Sequence, residues 1–258
     1  MKSAALRAQL ESALGDRFPS PFIFRERHAA ETAPSGLVAI DSLTAAGGLP
    51  RGALTEIFGP SSSGRTSLLL SLLTQMTARE EVCALVDATD AFDPHSARAA
   101  GVDLRRLLWV RCNQVEQSLR VTDLLLQGGG FGLVAVDLSD VPPQVARRVP
   151  LACWFRFRRV VENTPTLLVV LEQSPYAKTC ASFVLRLEPN TVYWSTAAGG
   201  FRSSKFENRN SEFGFLPDQA LHTTLLRGAR LNAEVVGARR RGKPPCSTAI
   251  DFETNTAL

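Results

Sequence analysis

Between residues 53 and 78 an apolar run of strand length, a glycine-bounded loop and a helical pattern follow one another, and no other stretch so narrows what this chain can fold into. The loop reads Gly59, Pro60, Ser61, Ser62, Ser63, Gly64, Arg65, Thr66, Ser67. It fits the phosphate-binding pattern GxxxxGK[ST] everywhere except at the lysine, where Arg65 stands. Gly59 and Gly64 let the backbone turn tightly, so that N–H groups converge on phosphate oxygens, and the following helix N-terminus adds its positive dipole end. Thr66 offers a hydroxyl to Mg2+. Arginine keeps the positive charge of lysine but is a longer planar fork, which alters the geometry available for γ-phosphate transfer. Two readings stay open: a loop that holds a triphosphate without efficient transfer, and a vestigial loop that binds nothing.

The context repeats the same message. Strand-like apolar runs at 53–58, 82–86, 107–110, 133–136 and 166–171 alternate with helical patterns at 66–78, 115–126 and 145–161. That alternation predicts an α/β fold, a twisted and mostly parallel sheet flanked by helices. The run at 131–136 ends in Asp137, a carboxylate placed to hold the water shell of Mg2+. After about residue 183 the strands read as shorter and alternating, an antiparallel extension. Residues 2–18 read as an amphipathic helix, followed by the apolar triplet Phe22, Ile23, Phe24, so 1–34 is expected to be a docking or oligomerisation segment and 35–236 the core. From Gly237 periodicity fades and a basic, flexible tail is expected.

At 258 residues with 45% hydrophobic and 21% charged residues, the chain suits one sizeable folded domain rather than a disordered segment. No apolar run reaches the length of a membrane span, and the first residues lack the apolar stretch of a secretory signal, so a cytoplasmic location is expected. Five scattered cysteines and three histidines make no metal-site pattern, and no structural metal is expected. A formal net charge of +4 slightly favours an anionic partner.

Taken in order, Gly47, Gly48, Leu49, Pro50, Arg51, Gly52, then the loop, then Val86, Asp87, Ala88, Thr89, Asp90, Ala91, Phe92, Asp93, Pro94, with Ala97, Arg98, Gly101, Val102 and Asp103 beyond, the sequence resembles the bacterial RecA family. The likeness is good from about 37 to 137 and fades afterwards. It implies ATP and Mg2+ as cofactors and places Thr89 where that family carries the glutamate that activates water. Threonine cannot act as that base, and losing such a base costs about 10²–10⁴ in rate. Gln173 resembles the family's γ-phosphate sensor, while the two DNA-gripping loops are cut back to Ser139–Pro143 and residues 174–182. A core with shortened loops resembles the ImuA group, which implies an accessory role in damage-induced, mutagenic translesion synthesis. An ImuB-like polymerase-associated partner, and RecA itself, follow from that resemblance.

Basic residues offer a surface for weak single-stranded DNA or a protein partner: Arg147, Arg148, Arg156, Arg158 and Arg159 with the interleaved aromatic Trp154, and Arg239, Arg240 and Arg241 in the tail. The same residues also read as an amphipathic core helix with solvated arginines and a solvated terminus. Three functions remain in competition. The first is a nucleotide-binding accessory protein with little or no turnover, and the second is a DNA-dependent ATPase that forms filaments on single strands and performs strand exchange. The third is a nucleotide-free adaptor. Thr89 and the short loops weigh against the second, and Gly59, Gly64, Thr66 and Asp137 weigh against the third.

Overall fold

The computed structural model describes residues 32–44, 46–195, 201–205, 226–238 and 247–253. In chain order the strands are β1 (Thr32–Ala33), β2 (Leu49–Pro50), β3 (Ala53–Phe58), β4 (Cys83–Asp87), β5 (Leu107–Arg111), β6 (Leu133–Asp137), β7 (Leu167–Glu172), β8 (Phe183–Ser195), β9 (Phe201–Lys205), β10 (Leu226–Ala238) and β11 (Ser247–Glu253). The helices are α1 (Val38–Asp41), α2 (Arg65–Ala78), α3 (Pro94–Ala99), α4 (Val115–Gly128), α5 (Pro143–Ala146) and α6 (Leu151–Val161).

The main sheet runs β11-β10-β8-β3-β7-β6-β4-β5, with β9 paired to β8, and β1 and β2 form a separate ribbon. From β3 to β5 every pairing is parallel. Strands β4, β6 and β7 are buried along their whole length, which is why they read as unbroken apolar runs. One face packs Leu68, Leu69, Leu72, Leu73 and Met76 of α2 against Ile57, Leu85 and Leu133. The other packs Leu119 of α4 and Trp154, Phe157 and Val161 of α6 against Leu54, Val136 and Val170. The expected fold class is therefore the observed one: a mostly parallel sheet between helices, extended by antiparallel strands at the C-terminal side. Among the described residues no helix is long and apolar enough to cross a membrane.

Three expectations are corrected. The helix expected over 145–161 is two helices, because Pro150 lacks an N–H, disfavours helix in the residue before it, and stands as the N-cap of α6. The C-terminal strands are not short. Strands β8 and β10 each run thirteen residues, and Pro189 and Asn190 fall at a register shift opposite Arg230 and Leu231. Within the stretch read as a tail from Gly237, β11 pairs antiparallel with β10, opposing Leu231 to Ile250. Ile250 is buried there, a driving force visible only once its partner strand is present. The N-terminal segment with Phe22 to Phe24, and Arg239, Arg240 and Arg241, lie outside the described residues.

Candidate phosphate-binding site

Strand β3 ends at Phe58 and α2 begins at Arg65, so residues 59–64 form the connecting loop at the C-terminal edge of the sheet. Two glycines are required for different reasons. A β-carbon at Gly59 would lie 2.1 Å from the Leu187 carbonyl oxygen, and Gly64 adopts φ +83° as the left-handed N-cap of α2. No side chain caps the helix, leaving its first N–H groups facing the loop. Pro60, Ser61, Ser62, Thr66 and Ser67 are exposed, whereas Ser63 and Arg65 are buried.

Arg65 is 5% exposed, and its Nη1 atom has no hydrogen-bond partner among the described residues. Burial lowers its proton affinity, partly offset by the charges of Asp137 and Asp140. Ser63 Oγ and Ser139 Oγ are likewise buried without partners among the described residues. A buried guanidinium lacking a bonded carboxylate is an arrangement that an anion completes.

Asp137 ends β6 in register with Asp87 at the end of β4. Its carboxylate accepts the Ser139 N–H at 2.9 Å, and burial holds its pKa above the ordinary aspartate range. Asp87, named in the sequence only as part of the family-like stretch, also closes an apolar strand with a carboxylate. Its oxygens accept the N–H groups of Thr89, Ala91 and Phe92 and the Trp109 indole N–H at 3.0–3.3 Å. It therefore shapes the loop on which Thr89 sits. Thr89 is exposed, and its neighbour Asp90 lies 3.8 Å from Arg111 on β5. Gln173, at the end of β7, donates from Nε2 to the Ser139 carbonyl at 2.9 Å, which joins the β7 and β6 loops.

Two apolar side chains that no local pattern signals also reach the loop. A β-carbon on Gly64 would meet Leu231 Cδ1 at 2.0 Å and Phe252 Cε2 at 3.4 Å, so β10 and β11 close over the start of α2.

The basic and aromatic set on α5 and α6 divides. Trp154 is fully buried, in edge contact with the Phe157 ring at 6.0 Å, and is thus core rather than an exposed stacking surface. Helical spacing put it on the face that packs against the sheet. Arg156 bonds Asp123 of α4 at 3.0 Å and Arg158 lies 3.7 Å from Glu162. Arg147, Arg148 and Arg159 stay exposed, as does Phe155 at 47% exposure.

The glycine loop, the unbonded buried cation and the acidic strand end together define a P-loop α/β protein, the class built to cradle nucleotide phosphates. Residues 7–148 match the model of the RecA N-terminal domain, and the chain belongs to that family. It is similar to Protein RecA of Brucella anthropi, 42% identical over 107 residues, covering 42% of this chain and 30% of that protein. Protein RecA of Leifsonia xyli subsp. xyli is 39% identical over 127 residues, 49% of this chain and 34% of that one. Protein RecA of Lactobacillus delbrueckii subsp. bulgaricus is 36% identical over 155 residues, 58% and 45% respectively. The matched segments thus span less than half of each of these relatives.

Proposed function

We propose that this protein is a RecA-like nucleotide-binding accessory factor of the bacterial DNA-damage response, an assembly or regulatory subunit for mutagenic translesion synthesis. The observation that carries the nucleotide part is Arg65, a buried guanidinium with an unsatisfied Nη1 at the mouth of an uncapped helix. Bound ATP with Mg2+ supplies the negative charge this position lacks. The N–H groups of the loop and Arg65 hold the phosphates, while Thr66 and Asp137 hold the cation side. Thr89 offers no carboxylate to take a proton from water, so binding serves as a signal rather than a step in rapid hydrolysis. The polymerase-associated partner rests on the resemblance to the ImuA group. Arg147, Arg148 and Arg159 form the face on which we place weak, strongly salt-dependent contact with single-stranded DNA.

Titration with a fluorescent ATP analogue and Mg2+, beside an Asp137→Ala variant, tests the reading, together with phosphate release in the presence of single-stranded DNA. Saturable binding that weakens in the variant, without DNA-stimulated turnover, is expected. Absence of binding leaves the adaptor reading, and brisk DNA-stimulated hydrolysis restores the recombinase.

A further inference from the structure

Strands β3 and β7 are neighbours, and each carries one glutamate on the sheet face covered by α6. Glu56 follows Leu54 by two residues and Glu172 follows Val170 by two, and both apolar residues belong to that face. Both glutamates are completely buried. Each commits one oxygen to the segment after β7: Glu56 Oε1 accepts the Ala177 N–H at 2.8 Å and Glu172 Oε2 accepts the Tyr176 N–H at 3.1 Å. Their other oxygens, Glu56 Oε2 and Glu172 Oε1, are buried with no other donor among the described residues. The two side chains are diagonal neighbours on one face, since Glu56 stands in register with Val170 and Glu172 with Phe58. Two carboxylates can only repel, and a hydrogen bond between them needs a proton on one.

We propose that Glu56 and Glu172 share one proton and act as positioning residues for residues 173–181, so that the protonated pair holds Gln173 against Ser139. Burial, followed by the neighbouring Glu56, pushes Glu172 up to about 9, and burial also raises Glu56. On that face α6 brings Trp154 and Phe157 into the cluster with Leu54 and Val170, and neither carries a charge. The loop supplies Tyr176, Lys178 and Cys180. From β8, Val184 stands in register with Glu56 and Arg186 with Phe58. Arg186 pairs instead with Glu188 and Glu234, and among the described residues no Lys or Arg forms an ion pair with either glutamate. Loss of the shared proton therefore leaves two adjacent uncompensated charges, and the Tyr176 and Ala177 anchors give way. The pair stands on its own geometry, and only its consequence for phosphate sensing through Gln173 rests on the nucleotide reading.

The test is limited trypsin digestion of the full chain between pH 7 and 10, following the cut after the exposed Lys178 by fragment mass. Glu172→Gln supplies a permanent amide N–H to Glu56. Relative to that variant, the wild-type cut is expected to accelerate about tenfold across the range, because one proton controls the opening. Parallel profiles for the two proteins overturn the proposal. Should the variant fail to fold, infrared difference spectra of the wild type decide. A protonated-carboxyl band lost between pH 7 and 10 supports the pair, and its absence at pH 7 sinks it. Repeating the digestion with Mg2+ and the ATP analogue separates the two readings: a retained pH profile without nucleotide protection removes the nucleotide reading and leaves the pair.

Discussion

Arg65 carries a positive charge into a buried position where no carboxylate among the described residues bonds it. Such a group costs the unliganded fold stability, since breaking the pairing of a buried charge is far dearer than replacing it with an apolar residue. Arg65→Met is therefore expected to stabilise the ligand-free protein by about 1–3 kcal/mol in urea unfolding. The same change removes the thermal shift produced by the ATP analogue. A destabilised variant would mean that Arg65 is satisfied internally and needs no anion. At this scale the loop residues were legible in the sequence, because glycine, hydroxyl and cation lie side by side in one local pattern. Asp87 was not, because its four hydrogen bonds come from a loop and from a neighbouring strand whose pairing is non-local.

The helix α6 shows how an element changes the meaning of its residues. Read in sequence, its arginines and aromatics form one mixed cluster. Folded, the 3.6-residue period sends Trp154, Phe157 and Val161 inward and leaves Phe155 and Arg159 outside. Trp154→Ala is expected to cost about 3–5 kcal/mol in urea unfolding while leaving retention on single-stranded DNA unchanged at permissive temperature. A large loss of DNA retention with little change in stability would reverse that assignment. The Pro150 break was present in the sequence but outweighed there by the long apolar periodicity around it. Strand β11 was missed for the opposite reason, since a short polar-apolar alternation carries little signal without its partner.

For the molecule as a whole, the glutamate pair sets a pH dependence of stability. Burial raises both folded-state values, that of Glu172 to about 9, so their contribution is complete below the ordinary value of 4.5 and is lost as pH rises above it, for Glu172 through about 9. The raised value of Asp137 has the same sign. The urea midpoint of the wild type is expected to fall steadily over that window, and Glu172→Gln to flatten much of the slope. An unchanged slope in the variant would assign the dependence elsewhere. The same long-range closure brings Leu231 and Phe252 from the C-terminal strands onto Gly64, linking the last described strand to the phosphate loop.

The sequence by itself determined the class of fold, the position of the phosphate loop and the carboxylate at the end of β6. Each of these is written in contiguous residues, where backbone geometry and hydrophobic period act over one element. Only the tertiary structure decided that Arg65 is buried, that Trp154 is core, that β11 joins the sheet, and that Glu56 and Glu172 share one buried face. These depend on strand order and register, and burial between distant segments is set by neighbours that no local window contains.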